Sequence, residues 1–319
     1  DVASTLNLEE YDRTYSSPLH LFWITTMKGP SLLLGIGTLA VHHANTLVLA
    51  LSTSTPAAAA SDRTSPAEVK QMFDDFAPSF ESKLIDSLKY SAPKECAQTA
   101  SNRIDNRQGR RYSSCLDAGC GTGLSGPHLR PLVDGTFVGV DLSPKMAEMA
   151  AELVRDDGPT PTVPDRMRRC TESARLGLGG IDRLYDGIFI GDLLDLQNAE
   201  ALDGFGFDMT SFPSSESEPF DLIVSADVLC YFGDMRGVLK SFANRLAVGG
   251  DLIFSTETMK AGDYNWVQLQ SERYAHCADY VRRMAEDAGL KVVSQMPFTP
   301  RMEAGEKVLG TLHTFAKEE

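Results

Sequence analysis

Paired cysteines are missing from this chain. Its six cysteines (Cys96, Cys115, Cys120, Cys170, Cys230 and Cys277) form no C-x-x-C pair and no zinc spacing. That argues against a disulfide framework and against a structural zinc site, and leaves buried thiols in a reducing compartment as the expectation. An excess of positive charge is missing too. Against 30 Lys and Arg stand 44 Asp and Glu, a net charge of −14, which argues against a large phosphate-binding face and so against nucleic acid as a partner. The local basic clusters, Arg107 to Arg111 and Arg166 to Arg169, read as solvated loop charge. There is no 34-residue helical repeat, and the mildly acidic residues 1–26 do not form an Arg-rich transit peptide. Apolar residues are not scarce: at 42% of 319 residues they suffice for one large domain or two smaller ones.

The amino-terminal region stands apart. Met27 and Lys28 precede an apolar run from Ser31 to Ser52, and Thr55 to Ser61 is alanine-rich. A basic start, an apolar stretch and an Ala-x-Ala end together resemble a targeting segment. The run is also long enough to span a bilayer, which takes about 20 residues, although His42, His43 and Asn45 near its middle are costly in hydrocarbon. A retained anchor or a helix packed on a partner is favoured over a cleaved signal, with an ordinary buried helix as the third reading. Residues 1–61 are therefore read as an extension and linker, and 62–319 as the catalytic-type domain.

That domain is organised around Ser113 to Gly126, Ser-Ser-Cys-Leu-Asp-Ala-Gly-Cys-Gly-Thr-Gly-Leu-Ser-Gly. A short apolar strand meets Asp117, breaks into Gly119, Gly121 and Gly123, and resumes as a helix-like run from Leu124 to Leu132. Alternate glycines between a strand and a helix let backbone approach a ligand closely. A dinucleotide fingerprint, G-x-G-x-x-G directly after the strand, fails when counted from Gly119, and fits from Gly121 only four residues past Asp117. Downstream, Thr136 to Asp141 reads as a second buried strand, with Ser143 and Pro144 as helix-start residues. Asp141, ending that strand, is placed to accept hydrogen bonds from both hydroxyls of a ribose. Further strands are expected at Tyr185–Gly191, Phe220–Ala226, Asp251–Glu257, Leu290–Met296 and Lys307–Phe315, the last two antiparallel. Helices are expected at 66–76, 79–89, 145–154, 235–246, with Ala247 to Gly250 as a glycine cap, and 275–288. Residues 155–183 and 197–219 look like insertions, the second a lid or partner surface.

The D-x-G-x-G-x-G pattern resembles motif I of class I S-adenosylmethionine-dependent methyltransferases. Five further blocks resemble, more narrowly, a bacterial-type family of predicted methyltransferases often fused to tetratricopeptide repeats. They are Phe73 to Phe80, Leu88 to Pro93, Val138 to Met146, Ser225 to Asp234 and Arg273 to His276. The resemblance implies a Rossmann-like α/β fold: a seven-stranded, mostly parallel sheet with an antiparallel C-terminal strand and helices on both faces. It implies S-adenosylmethionine as cofactor, held by Asp117, Ala118, Gly119, Gly121, Gly123, Asp141, Leu142, Ser225 and Tyr90, with Asp192 at the adenine amino group and Leu193 offering its backbone N–H. Asp195 competes with Asp192. Near the transferred methyl group it places Asp227 and Tyr231, with Tyr274 beside them and His276 as the first-named base. No metal is called for.

Two further function classes stay open at this point. The hydrophobic leader and the insertions motivate a non-catalytic accessory subunit of a membrane-bound, organellar complex, with residues 21–60 as the contact. The compartment expected on that ground is a plastid or mitochondrion, with the cytoplasm as alternative. A nicotinamide-linked oxidoreductase stands lower, since no hydride-handling site is recognisable.

Overall fold

The computed structural model describes residues 62–106, 108–153, 183–204, 212–213, 218–259 and 264–318. The apolar run at 31–52 and the first insertion, apart from Arg183, lie outside the described residues. Among the described residues no helix is long and apolar enough to cross a membrane.

Helix α1 (Pro66–Phe76) starts on a proline, whose missing N–H is harmless in a first turn. Pro78 then breaks the α geometry, and the chain descends through a 3-10 turn, a single α turn at Phe80–Ser82 and a π turn at Lys83–Ser87. Helix α2 (Ala92–Asn106) leads to strand β1 (Tyr112–Ala118). Next come the short helix α3 (Gly126–Leu129), strand β2 (Val133–Asp141) and helix α4 (Pro144–Ala151). The helix expected over 124–132 is cut short because Pro127 starts it and Pro131 sits in the 3-10 turn that ends it. Then follow β3 (Gly187–Ile190), β4 (Asp203–Gly204), β5 (Phe220–Ser225), helix α5 (Arg236–Arg245) and β6 (Leu246–Thr258). The chain ends with β7 (Trp266–Gln268), β8 (Tyr274–His276), helix α6 (Ala278–Asp287), β9 (Leu290–Phe298), the hairpin β10 (Met302–Glu303) and β11 (Glu306–Lys307), and β12 (Gly310–Lys317).

The main sheet runs β4-β3-β2-β1-β5-β6-β12-β9, with β8 pairing β6 and β7 pairing β8. Strands β3, β2, β1, β5 and β6 are mutually parallel, and β12 runs antiparallel between β6 and β9. Seven of these strands, β3-β2-β1-β5-β6-β12-β9, form the Rossmann-like sheet expected from the sequence. Its strand order reverses between β1 and β5, so a ligand crevice opens at the carboxyl edge there.

Period-two alternation sorts the strand side chains onto two faces. Leu116, Val138, Val140 and Ile223 pack with Phe242 of α5 and Val281 of α6. Cys115, Phe137, Leu222 and Val224 pack with Ala97 of α2 and Ala147 of α4. Burying each large apolar side chain stabilises by roughly 1.5–3 kcal/mol, so both layers are needed. Asp251, fully buried on β6, locks the strands to α2 by accepting from Tyr112 Oη at 2.9 Å and Arg103 Nη2 at 2.8 Å.

Two expectations are corrected. Ala247 to Gly250 is not a helix cap, because α5 turns at Leu246 straight into β6; Gly249 (φ +77°) lies where the β5–β6 register shifts. Residues 275–277 are not helical: Tyr274 to His276 form β8, a strand too short to show a period in the sequence. Of the second insertion, expected as a lid or partner surface, only part lies among the described residues. That part supplies the edge strand β4 and buries Phe212 between Phe189 and Phe220, where Arg245 stacks on it and donates to the Pro213 carbonyl.

Candidate active site

The glycine loop after β1 is stitched to β2. Gly119 and Cys120 N–H both donate to the Val140 carbonyl, at 2.8 and 3.0 Å. All three alternate glycines hold positive φ, +79°, +55° and +88°, which non-glycine residues adopt only with strain. They differ in surroundings. A Cβ on Gly119 would lie 2.4 Å from Val228, and one on Gly123 2.4 Å from Leu153, so both are packing glycines. A Cβ on Gly121 would meet only the Phe80 ring, at 3.8 Å.

Asp141 closes the loop from the β2 side. Its Oδ2 accepts from Gly121 N–H at 2.8 Å and its Oδ1 from Ser143 N–H at 2.9 Å. Each oxygen keeps a second lone pair. Burial pushes its carboxyl up to about 6, against the pull of those two N–H groups, with Asp74 nearby adding to the rise. Leu142, beside it, is half-buried. Ser143 caps α4 and donates to Asp74 Oδ1 at 2.6 Å, which fastens α1 over this end.

Asp117 sits deeper, 1% exposed. Its Oδ2 accepts from Tyr185 Oη at 2.7 Å, and its Oδ1 has no hydrogen-bond partner among the described residues. Burial raises this carboxyl to about 7, opposed by the Tyr185 bond and helped by Asp141. Ser225 and Ala118 are joined to each other, Ser225 Oγ donating to the Ala118 carbonyl at 2.8 Å, so the Ser225 hydroxyl pins β5 to β1. Asp192 ends the β3 crossing; it caps the turn at Leu193–Asp195 by accepting from Leu194 N–H and pairs with Arg63 at 2.7 Å. Leu193 is buried beside it, whereas Asp195 is exposed.

Residues 62–64 strap the opposite rim. Asp62 carbonyl accepts from Gly233 and Asp234 N–H at 2.9 Å, Thr64 N–H donates to the Tyr231 carbonyl at 3.0 Å, and the Arg63 guanidinium lies 4.4 Å from the Phe232 ring centroid. Above the glycine loop Phe73 meets Phe80 and Tyr231 edge-on, with centroids 6.2 and 5.6 Å away. Tyr90 reaches the same rim, donating to the Ala226 carbonyl at 3.3 Å.

Past β5 the chemistry changes. Asp227 takes a left-handed conformation, φ +58°, and is held by two arginines. Arg273 Nη2 lies 2.7 Å from its Oδ1, and Arg301 Nη1 lies 3.0 and 3.1 Å from its two oxygens. The same arginines grip buried Glu257, Arg301 at 2.6 Å and Arg273 at 2.7 Å, and Arg301 also reaches Glu303 at 2.7 Å. Burial alone would raise the Glu257 carboxyl, but the two guanidinium groups hold it below its usual value. Asp227, Cys230 and Glu257 stand close enough to share an ion. With Arg273 Nη2 also 2.9 Å from Cys230 Sγ, the two guanidinium groups already occupy that place, and a metal cation would be repelled from it.

His276 is the main correction to the catalytic set. It is 1% exposed, and its Nε2 faces the Phe232 carbonyl at 2.8 Å and that of Gly233 at 3.2 Å. Two carbonyl acceptors fix the proton on Nε2 and leave the Nδ1 lone pair buried without a hydrogen-bond partner among the described residues; burial lowers its pKa to about 4, against those carbonyls. It is built as a structural donor that holds the 231–233 turn. Tyr274 is likewise fully buried, edge-on to Trp266 at 5.4 Å. Asp227 and Tyr231 are brought together at the rim, with the Arg273 guanidinium 5.5 Å from the Tyr231 ring centroid.

The sequence reading missed Arg63, Asp74, Tyr185, Glu257, Arg273 and Arg301. Glu257 carried a usable signal, as an acid ending a buried strand like Asp117 and Asp141. Arg301 carried none, since its partners lie 44 and 74 positions away.

A glycine loop at a parallel-sheet switch point, with an acid after the second strand, defines a Rossmann-like nucleotide-binding enzyme of the class I methyltransferase type. The methyltransferase-domain family model matches residues 71–295, and the chain belongs to that family. Solved structures similar to it include the magnesium protoporphyrin IX methyltransferase of Synechocystis PCC 6803 with bound S-adenosylmethionine. The two are 14% identical with a TM-score of 0.49, over 79% of this chain and 97% of that one. Another is the N-methyltransferase NodS of Bradyrhizobium japonicum WM9 with S-adenosylhomocysteine, at 18% identity and TM-score 0.48, over 78% and 98%. A third is the 1,6-didemethyltoxoflavin-N1-methyltransferase of Burkholderia thailandensis, at 15% and 0.47, over 80% and 92%. No curated protein sequence matches the chain.

Proposed function

We propose that this methyltransferase takes the methyl group from S-adenosylmethionine and passes it to a small acceptor bound over the ends of β5 and β6. The observation that carries the reading is the Asp141 carboxylate, which ties Gly121 of the glycine loop to the end of β2 and keeps lone pairs for a ribose diol. The orphaned buried Oδ1 of Asp117 fits the same ligand, because a buried carboxylate oxygen without a donor is costly until one arrives. Gly119, Gly121 and Gly123, with Ala118, line the methionine end; Leu142, Asp192 and Leu193 lie toward the adenine.

The cofactor supplies an electrophilic methyl group on a sulfonium, so the protein has to orient the acceptor in line and keep water out. Phe73, Phe80 and Tyr90 close the rim against water. Tyr231 positions the acceptor beside the Asp227–Arg273–Arg301 network. Asp227, with both oxygens engaged by two guanidinium groups, acts by position. His276 is a positioning residue: its Nε2–H holds the Phe232–Gly233 turn next to Tyr231.

Isothermal titration of the full chain with S-adenosylmethionine and S-adenosylhomocysteine tests this, beside Asp141→Ala. Losing one charge-assisted hydrogen bond costs about 1.5–3 kcal/mol, so the variant should bind on the order of a hundredfold more weakly. A folded wild type that binds neither compound would overturn the reading.

A further inference from the structure

Tyr185 lies outside every motif that the sequence offered, yet its phenol sits under the glycine loop. It is 1% exposed and stacked on Phe137, with ring centroids 4.4 Å apart and planes 24° from parallel. A Cβ at Gly126 would come within 2.9 Å of its hydroxyl, and one at Gly123 within 3.3 Å of its ring. The ring therefore sets how low the glycine loop can settle. Its hydroxyl donates to Asp117 Oδ2 at 2.7 Å, while Asp117 Oδ1 stays without a partner.

We propose that Tyr185 is a positioning residue for the methyl-donor pocket, holding Asp117 by one oxygen so that the other is left for the donor's ammonium group. The proposal rests on the S-adenosylmethionine reading above. Burial raises the Tyr185 phenol well above its ordinary value, so it remains a donor throughout the working range. Among the described residues the titratable groups that face Asp117 are Tyr185 before β3, Asp141 at the end of β2, Cys115 on β1, Cys120 in the glycine loop and Cys96 on α2. Burial raises all three thiols, so they stay neutral. Among the described residues, Tyr185 supplies the one hydrogen bond that favours the ionised form of Asp117.

An ammonium ligand prefers an ionised Asp117, so affinity should rise as pH climbs through about 7. Removing the phenol withdraws the donor and moves that midpoint up by about 0.7 pH unit, the equivalent of one ordinary hydrogen bond.

The test is titration of the full chain and of Tyr185→Phe with S-adenosylhomocysteine at several pH values. The ligand's own amino group titrates identically against both proteins and cancels in the ratio of their Kd values. That ratio should be about fivefold at pH 6 and fall toward one at pH 9. A ratio that does not change with pH, whether large or one, overturns the proposal, since a merely structural role would weaken binding uniformly. Carboxyl carbon NMR of Asp117 in the ligand-free proteins is the second readout, and its midpoint should be higher in Tyr185→Phe. If that midpoint moves while wild type binds no S-adenosylhomocysteine at any pH, the cofactor reading has failed and takes the donor role of Tyr185 with it. If wild type binds and the midpoint does not move, Tyr185 alone is refuted.

Discussion

Replacing Arg301 with methionine removes the most heavily engaged side chain at the site. Its guanidinium is 2% exposed and touches three carboxylates: both oxygens of Asp227, Glu257 Oε1 and Glu303 Oε1. Breaking a buried ion pair by removing one partner costs about 3–5 kcal/mol, because a buried charge is left uncompensated. The low end applies here, since Arg273 still reaches Asp227 and Glu257 at 2.7 Å each, and methionine refills much of the volume. A loss of about 3 kcal/mol is expected at pH 7, or a fall in Tm of roughly 6–12 °C for a domain of this size. The loss must also depend on pH. Glu257 is held below its ordinary value of 4.5 in the folded protein. Its stabilising contribution is therefore complete above 4.5 and fades as pH falls through the lowered value. Urea unfolding of the full-length protein and Arg301→Met, from pH 7 down to the lowest pH at which wild type stays folded, reads both effects. A deficit below about 1 kcal/mol at pH 7, or one that stays constant on acidification, would refute the reasoning. A double-mutant cycle with Glu257→Gln then isolates the pair.

Other substitutions separate packing from ligand contact. Gly119→Ala must strain a left-handed backbone and press into Val228 at 2.4 Å, so it should cost about 2–4 kcal/mol by denaturant unfolding, partly restored by Val228→Ala. Gly121→Ala meets only the Phe80 ring at 3.8 Å; it should cost about 1–2 kcal/mol in stability but abolish S-adenosylhomocysteine binding by calorimetry. His276→Gln should leave that binding unchanged while altering stability with pH. Wild-type His276 has its pKa lowered to about 4 from 6.5, so its contribution is complete above 6.5 and is lost as pH falls toward 4. The stability difference from the variant should shrink by about 3 kcal/mol across that window. A difference that is flat from pH 7 to 4 would mean that the ring is not held neutral by burial.

The sheet was legible because long parallel strands are apolar on both faces and end in glycine or acid. Phe137 to Val140 and Leu222 to Val224 are buried without a break, and such runs announce themselves. The three-residue β8 did not, since a helix and a strand look alike over Tyr274, Ala275 and His276. His276 was then named a base because a histidine near the methyl acceptor suits proton transfer. What the sequence could not show is that the ring is 1% exposed: its Nε2–H is spent on the 232–233 turn, and the Nδ1 lone pair that a base would use is buried. Gly119 and Gly123 were read as ligand glycines, and the structure adds a packing reason for each, since Val228 and Leu153 leave no room for a Cβ.

The acids at the carboxyl edge sharpen that point. Asp117, Asp141, Asp227 and Glu257 all lie at or just past the ends of parallel strands, and by sequence they are equivalent. The structure divides them. Among the described residues Asp117 and Asp141 have no arginine or lysine in hydrogen-bond reach, so burial pushes both carboxyls up, to about 7 and about 6. Asp227 and Glu257 are met by Arg273 and Arg301, which arrive from the segment before β8 and from the start of the β10–β11 hairpin. Charge that a buried acid lacks must come from a ligand or be given up as a proton. The β1–β2 half of the edge is thus left to be completed by a hydroxyl-rich, cationic ligand, and the β5–β6 half is already complete. On the function proposed above, the methyl donor takes the first half, and the second is the rigid wall against which the acceptor is held.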